Sequence, residues 1–331
     1  MCMPLYQKTI ISKTKIEIFN QIYNYYTSIN FPSFVKYFVW KAHKFLCLDL
    51  SLSVRNKMSN KSTEKYLHGF SSTEQERLKK QARFAEQTVY KNIDFSRLNK
   101  IIEVGSGVGA QTEILLRRFP ELNIECIDMN KSQLEAAANY LKTIPNSKGR
   151  YKLQEMDATN MTFGSETLDG AFLCWILEHI PNPEKVLSEV RRVLKPGSPI
   201  IVTEVMNHSF FLEPYSPNVW KYWMTLNDYQ HEKTGDPFIG AKLGNLLLSQ
   251  GYQNINTKIH TWHFDNREPT SRKLYIDFWS QLLLSAEQTL LDSGSIDQDT
   301  INNMQTELQT VSKDPNAVFY YSFMQVHAVA R

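Results

Sequence analysis

Over much of its length this chain alternates short apolar runs with stretches whose apolar residues recur every three or four positions, the pattern of strands followed by helices. Ser71 and Ser72, with Glu74 and Gln75 three residues on, give overlapping capping-box signatures that open a helix to about Tyr90, carrying Leu78, Ala82, Ala85 and Val89 on one face. A short strand over residues 101–104 runs into Gly105-Ser106-Gly107-Val108-Gly109, and a helix from Ala110 to Arg118 follows, stopped by Pro120. Ile124 to Asp128 reads as a second buried strand. Ser132 to Leu141 reads as a helix with Leu134, Ala137 and Leu141 inward. Tyr151 to Glu155 and Leu168 to Cys174 are the third and fourth strands. Pro183 starts a helix to Val193 that Lys195-Pro196-Gly197 ends, and Pro199 to Glu204 is the fifth strand. Such alternation predicts an α/β fold with a doubly wound parallel sheet that binds ligands at the strand carboxyl ends.

Beyond residue 205 the alternation lapses. Residues 206–236 read as a long aromatic connection, and Pro237 to Gln250 as a helix ending at Gly251. Gln253 to Trp262 alternates like a strand, and residues 269–290 and 296–312 resemble two helices. Ala317 to Ala330 has strand character, with Phe319, Tyr321 and Phe323 on one face and Val318, Tyr320 and Met324 on the other. No internal repeat or low-complexity tract is visible.

Composition supports a folded chain: 42% of the 331 residues are hydrophobic and only 21% charged. The four cysteines, Cys2, Cys47, Cys126 and Cys174, lie far apart without a CxxC pair. That argues against a disulfide scaffold and a zinc site, and fits a reducing, cytoplasmic compartment. No metal is expected.

The net charge of +3 is unevenly spread. Residues 1–57 hold eight Lys/Arg and two acids, whereas the rest holds 29 basic and 32 acidic side chains. A body with net charge −3 is a poor footprint for a nucleic-acid partner. The division expected is therefore a basic, aromatic extension over residues 1–57 and an α/β domain over 58–331, with accessory segments at 206–250 and 265–313. Three readings of the extension stand: a basic amphipathic helix over Lys36 to Leu52 on a membrane surface, a segment that is poorly ordered or packs on the body, or a natural start at Met58.

A strand ending in closely spaced glycines that feeds a helix is an anion or nucleotide cradle. By spacing, Gly105-x-Gly107-x-x-Ala110 satisfies the dinucleotide fingerprint, and Asp128 at the end of the next strand is placed to bind a ribose. The loop alone does not separate a nicotinamide cofactor, and hence an oxidoreductase, from another adenosine-bearing cofactor.

The flanking residues resemble class I S-adenosylmethionine-dependent methyltransferases. Glu103-Val104-Gly105-Ser106-Gly107-Val108-Gly109 looks like that family's first motif. Asp128 matches its ribose-binding acid and Met129 the apolar neighbour of adenine. Met156-Asp157-Ala158 matches the motif at the adenine amino edge. Residues 177–183 and 190–197 resemble the fourth-strand loop and following helix of the small-molecule branch, with Gly197-Ser198 where a Gly-Gly pair is common. The segment Tyr66-Leu67-His68-Gly69-Phe70, with Glu74, Arg77, Leu78 and Gln81, is similar to the entry segment of methyltransferases acting on quinones and natural products. Gly107-Val108-Gly109-Ala110-Gln111-Thr112 is also similar to the methyltransferase domain of ovothiol synthases, and Gly235-Asp236-Pro237-Phe238-Ile239-Gly240 resembles a segment of the same group.

This resemblance implies a Rossmann-like sheet with an antiparallel C-terminal strand and an added helical, aromatic cap. It implies S-adenosyl-L-methionine as cofactor, held by Tyr66, Gln81, Glu103, Gly105, Ser106, Gly107, Gly109, Gln111, Thr112, Asp128, Met129, Asp157, Ala158, Cys174 and Trp175. Methyl transfer to O, N or C of a small, aromatic or amine-bearing acceptor is the expected activity; a binding module without catalysis is a further alternative. Glu204, His208 and His179 are candidates for proton transfer or substrate positioning, although His179 also fits a structural role in a helix-entry turn. For Asp157 a turn-capping role is the competing reading. Tyr215, Trp220 and Trp223 are candidate walls of the acceptor site, in a stretch whose rings are otherwise plain core.

Overall fold

The computed structural model describes residues 67–331. Tyr66, the expected helix over Lys36 to Leu52 and the start at Met58 lie outside them. The first helix, α1 (Ser72–Val89), is capped by Ser71, whose hydroxyl accepts from the Glu74 N–H at 3.1 Å. Then follow β1 (Lys100–Val104), α2 (Ala110–Arg118), β2 (Asn123–Asp128), α3 (Lys131–Leu141), β3 (Tyr151–Glu155), β4 (Gly170–Cys174), α4 (Pro183–Val193) and β5 (Pro199–Val205). The second half contains β6 (Phe211–Glu213), α5 (Pro217–Glu232), α6 (Leu243–Ser249), β7 (Gln253–Phe264), α7 (Pro269–Ser285), α8 (Glu287–Asp292), α9 (Gln298–Lys313) and β8 (Val318–Val329).

The eight strands form one sheet, with β3, β2, β1, β4 and β5 parallel and side by side. β8 runs antiparallel to β5, with Thr203 opposite Gln325 and Val205 opposite Phe323. Its other edge pairs with β7 from Gln253 to Phe264, and β6 continues beyond β5 against Val318 to Tyr320. This is the expected doubly wound α/β sheet with an antiparallel last strand.

The two-residue period of the strands divides the core in two. Ile101, Phe172, Ile201, Phe319, Tyr321 and Phe323 face the side covered by α1, α2, α5, α7 and α9. Ile102, Leu173, Val202, Val326 and Ala328 face the side covered by α4 and α6. Along α4, Val186, Leu187, Val190 and Val193 supply the matching helical stripe.

Three expectations need correction. The connection over 206–236 contains the sixteen-residue helix α5, whose buried positions Val219, Tyr222, Trp223, Leu226, Asn227 and Gln230 recur at helical spacing behind Pro217. The helix expected over 237–250 is split into a 3-10 turn, Ile239–Lys242, and α6. Gly240 lies so close to β5 that a Cβ there would be 2.5 Å from the Val205 carbonyl oxygen, so the chain approaches tightly before α6 begins. The helix expected over 269–290 breaks at Ala286 into α7 and α8.

The cap is seated on a buried polar network. Asn207 donates to Asn227 Oδ1 at 2.7 Å and accepts from the Tyr321 hydroxyl at 2.8 Å; its carbonyl accepts from the Trp223 indole at 3.0 Å. Around it Phe210, Trp223, Trp279 and Phe319 pack with ring centroids 5.2–6.1 Å apart. Trp223→Ala removes both a large buried ring and the indole donor. It is expected to cost about 3–5 kcal/mol, read as a lower urea midpoint; an unchanged midpoint would show that the cap contributes little to stability.

Candidate functional site

The loop between β1 and α2 is held from below by two backbone bonds: the N–H groups of Gly105 and Ser106 both donate to the Ile127 carbonyl, at 2.8 and 3.0 Å. Gly105, Gly107 and Gly109 all have positive φ, a conformation that disfavours side chains. Their surroundings differ. A Cβ on Gly105 would lie 2.5 Å from Ile176 Cγ1, whereas nothing lies within 4 Å of one on Gly107. Gly105 is thus a packing glycine and Gly107 borders open space, beside which a ligand can approach the backbone.

Glu103 is buried beneath this loop. Its Oε2 accepts from the Thr112 hydroxyl at 2.6 Å, while Oε1 is buried without a protein partner. Burial, reinforced by the nearby Asp128 carboxylate, pushes its pKa up to about 8 against the Thr112 bond. The Ser106 hydroxyl is likewise buried and unpartnered. Two orphaned polar atoms at one glycine loop are costly unless a ligand satisfies them. Gln111 and Thr112 are already engaged: the Tyr90 hydroxyl donates to Gln111 Oε1 at 2.7 Å, and Thr112 serves Glu103.

Asp128 ends β2 with both carboxylate oxygens occupied by backbone donors, Gly107 N–H at 2.9 Å and Asn130 N–H at 2.8 Å. These bonds fix its orientation, and burial raises its pKa despite them. Beside it Met129 is 70% exposed, an unusual state for a large apolar side chain. Across the edge, the Met156 N–H donates to the Asp128 carbonyl at 3.0 Å. Asp157 is exposed, with Oδ1 accepting from the Thr159 N–H at 2.7 Å, a turn-capping contact, and Ala158 is buried. Gln81, on α1, accepts from Arg77, which forms a buried two-bond pair with Glu74.

At the tip of β4, Cys174 and Trp175 are half-buried, and burial pushes the Cys174 thiol pKa well up. Trp175 has φ 55° and packs edge-on against Trp262 and Phe323. His179 closes the 3-10 turn Leu177–His179, with its ring nitrogens 3.4 Å from Gln230 Nε2 and 3.6 Å from Glu178 Oε1. Glu204 is fully buried, and its Oε1 accepts from the N–H groups of Ile176 and Leu177. Burial is the main cause, with the neighbouring Glu178 carboxylate second, that raises its pKa to about 8. His208 is exposed in the turn after β5, its ring 6.0 Å from Phe238.

The three aromatic candidates separate. Tyr215 is 72% exposed, Trp220 is half-buried against Phe210, and Trp223 is core. Trp223 supports the cap, with its indole bonded to the Asn207 carbonyl and its ring packed against Phe210 and Trp279.

Sequence reasoning did not reach His68 as a packed residue. Its Nδ1 lies 2.6 Å from Ser285 Oγ, and Ser285 itself donates to the Leu282 carbonyl, so His68 is the donor to the serine. Burial first, then the positive fields of Arg77 and His179, pull its pKa well down, leaving a neutral imidazole. The Glu178–Gln230 contact, 3.0 Å, also escaped notice because it joins residues 52 positions apart. Among the described residues no group of His, Cys, Asp and Glu is arranged to hold a metal, and no helix is long and apolar enough to cross a membrane.

Sheet order, glycine loop and Asp128 together define a Rossmann-like α/β domain with a nucleotide cradle at the carboxyl ends of its parallel strands. Residues 102–202 match the protein-family model described as "Methyltransferase domain". The O-methyltransferase cnsE of Penicillium expansum is 29% identical over 159 residues, 47% of this chain and 52% of that protein. A demethylmenaquinone methyltransferase of Tropheryma whipplei (strain Twist) is 24% identical over 170 residues, 48% of this chain and 68% of that protein. Phosphoethanolamine N-methyltransferase 2 of Haemonchus contortus, solved with S-adenosyl-L-methionine, superposes with a TM-score of 0.45 at 16% identity, covering 76% of this chain and 52% of that one. The chain spans about half the length, or less, of the first curated relatives it matches.

The electrostatics of Glu103 have a measurable sign. In the unfolded chain its carboxyl ionises near 4.5, whereas the folded protein holds the proton to about 8. Its contribution is therefore complete below the unfolded value and lost as pH rises through the folded one. Wild type is expected to lose stability relative to Glu103→Gln by about 1.4 kcal/mol per pH unit between pH 5 and 8, followed by urea unfolding. A constant difference across that range would contradict the buried, protonated carboxyl.

Proposed function

We propose that this protein transfers the methyl group of S-adenosyl-L-methionine to an O, N or C atom of a small organic acceptor. The observation that carries the reading is the pair of buried, unpartnered atoms, Glu103 Oε1 and Ser106 Oγ, at a glycine loop whose Gly107 borders open space. In this reading the loop and Glu103 receive the methionine part of the cofactor. Asp128 accepts from the ribose hydroxyls, and the exposed Met129 side chain lies against adenine. Asp157 and Ala158 line the adenine edge, and Gln81 with the entry segment closes over the site.

Held by the glycine loop and Asp128, the cofactor would supply an electrophilic methyl carbon for direct displacement by the acceptor. The protein's work is then to orient the acceptor and exclude water, and alignment alone is worth several orders of magnitude. The tip of β4, with Cys174 and Trp175, borders the transfer position, and Trp175 offers a ring face to an aromatic or amine-bearing acceptor. An O-methyltransferase and a demethylmenaquinone methyltransferase among the relatives support a small acceptor. His208, exposed in the turn after β5, is a proton acceptor for acceptors that must lose a proton.

Calorimetry with S-adenosylhomocysteine and with NADH tests the reading. Wild type is expected to bind the former and not the latter, and Asp128→Ala to weaken binding at least a hundredfold. Tight NADH binding alone would establish the oxidoreductase alternative. Cofactor binding without transfer of a labelled methyl to any compound of a metabolite panel would favour a non-catalytic module.

A further inference from the structure

Glu204 is a carboxylate with no exposed surface, at the end of β5, whose Oε1 accepts two backbone N–H groups from the tip of β4: Ile176 at 2.9 Å and Leu177 at 2.7 Å. These amides open the 3-10 turn Leu177–His179, and the first N–H groups of a helical turn have no partner within it. No side chain of the turn's own leading residue caps it. Glu204 therefore caps it from a neighbouring strand.

Just before those amides stands Trp175 in the left-handed region, φ 55°, with its own N–H donated to the Thr203 carbonyl at 2.9 Å. A bulky residue keeps such a conformation only where its surroundings over-determine it. Here the bond to Thr203 holds it on one side and Glu204 holds the next two residues on the other. The opposite face of the turn is closed by the segment from Gly235 to Gly240. The Asp236 N–H donates to the Glu178 carbonyl at 2.8 Å, and a Cβ on Gly235 would lie 2.7 Å from that oxygen.

What this clamp delivers is the side chain of Ile176. It fills the space left by the missing side chain of Gly105, where a Cβ would lie 2.5 and 2.6 Å from Ile176 Cγ1 and Cδ1. Gly105 opens the loop in which the Ser106 hydroxyl is buried without a partner and Gly107 borders open space. We propose that Glu204 is a positioning residue for the cofactor: by pinning the Ile176 and Leu177 amides it presses Ile176 onto Gly105 and sets the shape of the glycine loop. This rests on the methyltransferase reading for the identity of the ligand. It assigns Glu204 no proton transfer, since the carboxyl is sealed from solvent and one oxygen is doubly engaged.

The test combines amide hydrogen exchange at Ile176 and Leu177 with calorimetric binding of S-adenosylhomocysteine, in full-length wild type, Glu204→Gln, Glu204→Leu, Ile176→Ala and the Glu204→Leu/Ile176→Ala pair. Glu204→Gln keeps a neutral acceptor and is expected to stay within threefold of wild type in binding, with both amides still protected. Glu204→Leu is expected to lose that protection and to bind at least tenfold more weakly. The double variant is expected to bind no more weakly than Glu204→Leu, because both changes break one chain of contacts. A folded Glu204→Leu protein with unchanged affinity, or additive losses in the double variant, overturns the proposal. If Glu204→Leu does not fold, Ile176→Ala decides: at least threefold weaker binding with both amides still protected supports the proposal, and unchanged binding overturns it. Failure of wild type to bind S-adenosylhomocysteine, with both amides protected, overturns the reading of the loop instead.

Discussion

The site depends on acidic side chains that catch backbone N–H groups where parallel strands end. A parallel sheet leaves its strand ends with amides that no ladder satisfies, and buried amides need a partner. Asp128 takes those of Gly107 and Asn130, and Glu204 those of Ile176 and Leu177. At the opposite end of the sheet, Asp169 does the same for Asn99 and Lys100. Each of the first two captures fixes a turn at the carboxyl ends of the parallel strands. The result is a loop preorganised by side-chain bonds to its backbone, with Gly107 left clear on its outer side. Moving either acid would change the loop without touching its sequence.

Burial gives these acids different characters. Glu103 and Glu204 are both held as neutral carboxyls to about pH 8, whereas the Gly107 and Asn130 amides counteract the burial of Asp128. The site is therefore less negative than its three acidic side chains suggest. The Glu178 carboxylate next to Glu204 is met by the amide of Gln230, a neutral donor from the cap.

Much of the first half was legible because each element carried a local signal. The Ser71 cap, the closely spaced glycines and the Pro183 start each lie within a few residues of what they specify, and β1 to β5 fall within two residues of their expected bounds. The helix α5 was hidden by composition: its aromatic richness reads as a wall, yet Tyr222, Trp223 and Leu226 already sit at helical spacing behind Pro217. The division of Pro237 to Gln250 was not readable, since only the approach of Gly240 to the end of β5 shows why the first turn tightens. For the same reason the contacts of Glu204 were not readable. Its partners lie 27 and 28 residues away, and no spacing rule relates them. The left-handed Trp175 had no sequence signal, because the residue type disfavours the conformation that the fold imposes.

β8 lies between β5 and β7, and Gln325 bonds Thr203 across 122 positions of sequence. Closing so long a loop must precede any return from the contacts it makes, which places this pairing late in folding. Without it, β5 would present an open backbone edge. A chain stalled at that stage is poised to recruit a strand from a second molecule, so the order in which the sheet closes bears on how cleanly this protein is produced in a cell.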